Sequence, residues 1–371
     1  MERILRFGVV GCGRIAGNHL QALASAQVPA ELVAVADVKE DRAREKAEQY
    51  RVPYYLDYHE MLTRHPEIDV IDILTPTGYH ARHLVDLARY GKHFVVEKPM
   101  ALQVSDCDRM ITACRQHGCR LFVVKQNRYN RAVVAARRAL DSERFGKIVM
   151  GTVRVRWKRD QAYYARDPWR GTWELDGGVM AQQASHHLDL LQWFMGPVER
   201  LQCQIATRLL KIEVEDTAAA LFRFESGALG VFEATTATRP TDLEASLSIL
   251  GERGSVILGG NAVNRIEHWQ FDPELPEDAQ VRAAASQDVP NVYGHGHEDY
   301  LAAIVRSILS NQPGMVEGAE GRKNVVILTA LYESAARGGV PVRPGVRVRK
   351  ARIGRRSPKC TPSARSGRGT A

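Results

Sequence analysis

The chain has 371 residues, enough for two domains with separate cores at roughly 100–200 residues each. Apolar residues make up 44% and charged residues 25%, which excludes a wholly disordered chain, and no apolar run approaches the ~18–20 residues of a spanning helix. The formal net charge of +8 invites a nucleic-acid reading, but nine basic residues and no acidic one lie after Gly345, leaving −1 for everything before them.

The chain starts with a short mixed run, Met1 to Phe7, without the long apolar region and small-residue cleavage site of a secretory signal, so a cytoplasmic location is expected. Over residues 1–125, apolar runs predict strands at 7–10, 32–36, 70–74, 93–96 and 121–124. Amphipathic segments predict helices at 14–26, 41–49, 78–90 and 105–117 between them. Apolar strands without alternation, separated by helices, imply an α/β domain whose parallel sheet is covered on both faces. Ligands bind such a sheet at the carboxyl ends of its strands.

Directly after the first strand comes Gly11-Cys12-Gly13-Arg14-Ile15-Ala16, a G-x-G-x-x-A pattern at the mouth of a helix. Gly11 makes the tight turn, Gly13 lets a pyrophosphate approach the backbone, and Ala16 allows close helix–strand packing. Free N–H groups at the helix start, near Arg14 and Ile15, suit the phosphates. Asp37 ends the second strand, where a ribose-binding acid belongs, and would repel a 2′-phosphate; NAD is therefore expected over NADP.

Two further strand ends carry candidate chemistry. Thr75-Pro76-Thr77-Gly78-Tyr79-His80 follows the strand predicted at 70–74 and starts a helix, and Glu97-Lys98-Pro99 ends the next strand. A lysine on a proline-constrained turn at a strand end can hold a hydroxyl and stabilise a developing alkoxide.

The rhythm then changes. A helix is predicted at 129–141, and β-rich runs at 149–156, 201–206, 218–224, 228–234, 245–250 and 254–258. A helix is predicted at 179–194 and two more at 298–310 and 319–337, with 272–293 a long loop. Residues 126–345 therefore form an α+β domain on a large, mostly antiparallel open sheet. On a continuous 179–194 helix, Gln182, His186 and Asp189 share one face, and His186 can take a hydroxyl proton while His187 faces elsewhere. Arg128, Arg156, Lys158, Arg159 and Arg170 are cations available to an anionic substrate. Trp169 can stack on a ring. Residues 346–371, basic and rich in Ser, Pro and Gly, are expected not to pack. The six cysteines show no C-x-x-C spacing or zinc rhythm, and no metal is expected.

With the glycine turn, Glu97-Lys98-Pro99 and the Gly177-Gly178…His186-x-x-Asp189 stretch in this order, the sequence resembles the Gfo/Idh/MocA oxidoreductases over about residues 3–345. The resemblance implies a Rossmann NAD-binding domain, a substrate domain, and Lys98 with His186 as the catalytic pair. Residues 123–130 (Val-Val-Lys-Gln-Asn-Arg-Tyr-Asn), 169–174 (Trp-Arg-Gly-Thr-Trp-Glu), 183–186 (Gln-Ala-Ser-His), 212–217 and 293–297 are similar to a subgroup, the UDP-N-acetyl-2-amino-2-deoxyglucuronate dehydrogenases. That likeness implies oxidation of the 3-hydroxyl of a UDP-linked sugar acid in bacterial O-antigen (lipopolysaccharide) biosynthesis. Its product passes to an aminotransferase, and 2-oxoglutarate is a possible second substrate. Family habit implies a homotetramer, with neither nucleic acid nor membrane as partner. The cofactor site so implied comprises Gly11, Gly13, Arg14, Ile15, Asp37, Thr75, Pro76, His80, Glu97, Lys98, Gln126, Trp169 and Arg170. The substrate site comprises Lys98, Asn127, Arg128, Arg156, Arg170, Gln182 and His186. One departure stands out: Gln182 occupies the position, four before the histidine, where many members carry Asp and this subgroup Asn. An amide can hydrogen-bond a sugar hydroxyl but cannot share a proton, so the base role falls on His186.

Overall fold

The computed structural model describes residues 3–260, 262–286, 296–345 and 348–356. The N-terminal part runs β1 (Leu5–Val10), α1 (Ala16–Leu23), β2 (Ala30–Ala36), α2 (Glu40–Tyr50), β3 (Tyr54–Tyr55), α3 (Tyr58–Arg64), β4 (Val70–Ile73), α4 (His80–Leu87), β5 (His93–Val96), α5 (Val104–Gln116) and β6 (Leu121–Val123). The six strands pair in parallel in the order β3-β2-β1-β4-β5-β6. β4 is buried along its whole length, as a strand covered on both faces must be. The order reverses between β1 and β4, so the loops after these strands diverge and open a crevice at their carboxyl ends. The short β3 and α3 have no counterpart in the sequence reading, because two residues of strand and two turns of helix carry too little periodicity.

Next come α6 (Arg131–Asp141), β7 (Ile148–Arg156), α7 (Gln161–Ala165), α8 (Val179–Gln182), α9 (Ser185–Met195), β8 (Val198–Ala206), β9 (Thr217–Phe224), β10 (Leu229–Thr235), β11 (Glu244–Gly251), β12 (Gly254–Gly259) and β13 (Arg265–Phe271). The seven strands are ordered β13-β12-β11-β7-β10-β9-β8, antiparallel except where β10 meets β7. One face alternates inward to a core with α9, through Val153, Val155, Phe222, Phe232 and Leu247 against Leu188 and Leu191. The other face is open.

Several expectations change. The helix foreseen over 179–194 is broken between Gln182 and Ser185 into α8 and α9. The loop foreseen over 272–293 contains α10 (Asp278–Ala285), and residues 287–295 lie outside the described residues. Helix α11 (Gly296–Leu309) returns to the parallel sheet: Tyr300, Leu301, Ile304 and Val305 share a core with Phe7, Val9 and Leu20. Helix α12 (Gly318–Ala336) passes from α5 and β6 to β8 and joins the two sheets.

The basic tail also differs from expectation. Within residues 348–356, Ala351 and Ile353 are buried, and Glu333 Oε2 accepts the N–H groups of Arg349, Lys350 and Ala351 at 3.1, 2.8 and 3.0 Å. Gly354 donates its N–H to Trp173 O at 2.7 Å. A few apolar side chains between the charges suffice to dock this stretch, which a charge count overlooks. Residues 346–347 and 357–371 lie outside the described residues.

Candidate active site

The turn after β1 is shaped by backbone constraint. Gly11 has φ +102°, and a Cβ there would stand 2.8 Å from the carbonyl carbon of Leu74. Only glycine fits both the angle and the contact with the neighbouring strand end. At Gly13 a Cβ would meet nothing within 4 Å and would project into open space at the mouth of the crevice. Ala16 starts α1 with its N–H donated to Gly13 O, which turns the chain directly into the helix. Asp37 is oriented by two backbone donors: Cys12 N–H meets Oδ2 at 2.7 Å and Lys39 N–H meets Oδ1 at 2.8 Å.

These residues line one end of a cleft of about 750 Å³ that runs between the two sheets. Gly11, Gly13, Arg14, Ile15, Asp37, Thr75, Pro76, His80, Glu97, Lys98, Trp169, Arg170, Gln182 and His186, all foreseen, border it. The glycine opening, the oriented Asp37 and the cleft volume fit a dinucleotide. Both nitrogens of His80 sit against backbone carbonyls, of Thr75 at 2.7 Å and Pro99 at 3.0 Å, so this ring braces two strand-end turns against each other.

At the other end, Lys98 Nζ donates to Gln182 O at 2.7 Å. The break between α8 and α9 is what presents that carbonyl, since the helix does not continue through it. Burial lowers the pKa of Lys98, opposed by the charges of Glu97 and Asp176. Gln182 Nε2 donates to Thr77 Oγ1 at 3.0 Å and to Asp176 O at 3.2 Å, tying α8 to the turn after β4. His186 lies on the wall of the cleft and meets the Gln126 amide through Nε2 at 3.1 Å, while its Nδ1 has no protein partner. Burial and the nearby cations Lys98 and Lys125 hold its pKa well below the ordinary value, so the ring is a neutral base at pH 7. His187 turns away and stands edge-on to Trp157, with burial lowering its pKa to about 4. Asp176, buried beside this end with its Oδ2 accepting Gly171 N–H, is pushed up to about 7 by burial.

Four foreseen site residues do not border the cleft. Arg128 Nε and Nη2 grip Asp189 at 2.7 and 2.8 Å, Nη2 also meets Glu320 at 3.0 Å, and Lys125 adds a 3.2 Å contact to Asp189. Arg128 thus anchors α9 and α12 from within the protein. Asn127 is buried in the same short turn (Gln126–Tyr129), and Gln126 reaches the site only through His186. Arg156 points to the open face of the second sheet, where it pairs with Glu233 at 2.6 and 2.8 Å and Glu244 at 3.3 Å. The reason is strand parity: Val153 and Val155 face the core, so Arg154 and Arg156 face out. The face foreseen for Gln182, His186 and Asp189 is likewise divided, since the helix break sends their side chains to three different partners.

The sequence reading missed Arg42, Tyr163 and Asp167 on the cleft wall. Asp167 Oδ1 pairs with Arg42 Nη2 at 2.6 Å, joining the substrate-domain segment before Trp169 to α2 beside Asp37. Arg170 Nη1 donates to Tyr163 OH at 2.9 Å. The available signal was Asp160, whose carboxylate caps α7 by accepting Tyr163 N–H at 2.9 Å.

The comparison with known proteins agrees with this geometry. Residues 5–125 match the family described as oxidoreductase family, NAD-binding Rossmann fold, and residues 133–257 match the GFO/IDH/MocA C-terminal domain. The chain belongs to the Gfo/Idh/MocA oxidoreductase family. As a member it is an NAD-dependent sugar dehydrogenase. Among solved structures, the chain is 40% identical to the WlbA dehydrogenase from Bordetella pertussis, crystallised with NADH and UDP-GlcNAcA, with a TM-score of 0.86 over 92% of this chain and 98% of that one. The WlbA dehydrogenase from Chromobacterium violaceum, with the same two ligands, is 39% identical, with a TM-score of 0.87 over 94% of this chain and 98% of that one. A myo-inositol 2-dehydrogenase from Thermotoga maritima is 29% identical over 89% of this chain and 96% of its own length. No helix among the described residues is long and apolar enough to cross a membrane.

Proposed function

We propose that this Gfo/Idh/MocA protein oxidises the 3-hydroxyl of UDP-N-acetylglucosaminuronate to the 3-keto sugar. The observation that carries the reading is the single cleft that joins the glycine turn and Asp37 to Lys98 and His186. The likeness, over nearly the whole length, to two WlbA dehydrogenases crystallised with NADH and UDP-GlcNAcA supports the substrate.

Gly11, Gly13, Arg14 and Asp37 would hold NAD, the glycine turn accepting its pyrophosphate and Asp37 its adenosine ribose. Bound NAD⁺ supplies the hydride acceptor. Lys98 orients the sugar hydroxyl with its ammonium and stabilises the negative charge that develops on that oxygen. His186 removes the hydroxyl proton, a task its neutral ring is suited to. Gln182 keeps α8 against the turn after β4, a role an amide fills without proton exchange. Arg170, Arg159 and Trp169 stand on the cleft wall where a charged nucleotide sugar meets the protein.

The keto product suits an aminotransferase as the next enzyme, consistent with a place in O-antigen synthesis in the cytoplasm, and 2-oxoglutarate would serve to regenerate the cofactor in place. Exposed Leu221, Leu229 and Leu250 on the open sheet face support assembly through that face into a homotetramer. A second reading, a polyol dehydrogenase, is favoured by the inositol dehydrogenase relative.

The deciding experiment incubates purified protein with NAD⁺ and UDP-N-acetylglucosaminuronate, with and without 2-oxoglutarate, and with free inositol in parallel. A 3-keto nucleotide sugar is expected. Turnover of inositol with none of the nucleotide sugar would establish the second reading instead.

A further inference from the structure

Behind Lys98 lies a line of buried ionisable groups that the proposed chemistry does not use. Asp72, in the middle of β4, points to the face covered by α1, and its Oδ2 meets His19 Nδ1 at 2.7 Å. The other nitrogen of His19, Nε2, meets Glu97 Oε1 at 3.3 Å. Glu97 Oε2 in turn accepts the backbone N–H of Lys98 at 2.7 Å. Asp72 and His19 are completely shielded from solvent, and Glu97 nearly so.

An imidazole with a carboxylate on each nitrogen donates from both, which requires the charged ring. The signs therefore alternate, Asp72 negative, His19 positive, Glu97 negative, Lys98 positive, and the chain as a whole is neutral. A buried carboxylate stranded without such a partner would cost several kcal/mol and would neutralise instead. Burial is the largest influence on His19 and works downward, but Asp72 and Glu97 outweigh it and raise its pKa to about 10. Burial likewise works upward on Glu97, yet the hydrogen bond from His19 and the charges of Lys98 and His19 bring it down to about 2. Burial raises Asp72, and the imidazolium opposes that rise. His297 stands edge-on to His19, with ring centroids 5.2 Å apart, and the buried phenol of Tyr300 feels both carboxylates.

Ligand-type atoms of His19, Glu97 and His297 approach within 4.8 Å of one another. A ring that donates from both nitrogens has no lone pair left for a cation, so the cluster is an ion-pair chain.

We propose that Asp72 and His19 are positioning residues for catalysis, a buried carboxylate–imidazolium pair that keeps Glu97 ionised and thereby fixes both the turn and the charge of Lys98. Lys98 is partly buried on the wall of the cleft, and Glu97 is the foremost of the charges that favour its ammonium. Asp176 acts in the same direction, and Arg170 against it. Lys125, His186, His187 and His297 also share a field with Lys98. Removing the imidazolium lets Glu97 take a proton. Lys98 then loses its main counter-charge, and its ammonium deprotonates at lower pH.

The inference rests on Lys98 acting as proposed above, and the experiment separates the two. Single-turnover rates are measured against pH for the full chain with NAD⁺ and UDP-N-acetylglucosaminuronate, in wild type, Lys98→Ala, His19→Gln and Asp72→Asn. NAD affinity is measured beside them as a check on folding. Lys98→Ala is expected to be inactive; an active Lys98→Ala variant overturns the assignment of the site itself. In His19→Gln the high-pH limb of the rate profile should move down by about one unit or more, the size expected when an opposite charge is lost nearby. Asp72→Asn keeps an acceptor for His19 and should move the limb the same way by less, so it serves if His19→Gln does not fold. An unmoved limb in a folded variant overturns the proposal while leaving Lys98 in place. Independently, the ¹³Cε1 resonance of labelled His19 should stay in the protonated position at pH 8, and titration near 6.5 would overturn the proposal.

Discussion

The two ends of the cleft are built differently. At the cofactor end, the decisive features are backbone ones: the φ of Gly11, the bare Cα of Gly13, and two N–H groups that orient Asp37. At the substrate end, the decisive features are side chains whose roles depend on partners far along the chain. Arg128 is claimed by Asp189 and Glu320, and Arg156 by Glu233 and Glu244. A backbone motif carries its own geometry, whereas a charged side chain does not carry its partner. Cations near a cleft in sequence are therefore poor evidence of an anion site until their carboxylates are known.

The comparison can be tested from its strongest consequence downward. Lys98→Ala and His186→Ala should each lower the turnover rate by about 10²–10⁴-fold with NAD affinity unchanged, read by steady-state kinetics and a binding titration. A normal rate in either variant removes that residue from the chemistry. Gly13→Val should weaken NAD by about a hundredfold, because its side chain would occupy the pyrophosphate path, yet leave the urea midpoint unchanged. Loss of stability there would mean that the glycine serves packing instead.

Arg128→Ala should destabilise the fold by about 3–5 kcal/mol in urea, since Asp189 and Glu320 lose their guanidinium in a buried setting. A raised KM for the nucleotide sugar at unchanged stability would return Arg128 to the substrate site. Because burial and cations hold His186 well below its ordinary pKa, the turnover rate should stay flat as pH falls from 7 to 6.5, and a base limb centred at 6.5 would contradict the neutral ring. Arg156→Ala, on the open sheet face, should change stability by no more than about 1 kcal/mol and leave KM untouched.

Much of the fold was legible. Short, largely apolar runs such as 70–74 and 93–96, without alternation, read as strands covered on both faces, and the helices between them made the sheet parallel. The alternation in 149–156 was visible too, but Arg156 was assigned to the substrate site without using the parity that sets it opposite the core. The break between α8 and α9 was not legible, because no proline marks it. It exists because Gln182 is bound to the turn after β4 while α9 packs on the second sheet. Nor could the alternating charges of Asp72, His19, Glu97 and Lys98 be seen in advance, as their members lie on separate elements spread over 80 residues of chain.

The sequence by itself determined the parallel sheet, the glycine turn with Asp37, and the family that Lys98 and His186 belong to, because each depends on local backbone geometry or short-range periodicity. Only the tertiary structure decided which cations line the cleft, why α11 serves the first sheet, and which groups stand behind Lys98. Those outcomes depend on pairings between distant residues in a low-dielectric interior, where a charge is defined by its neighbour.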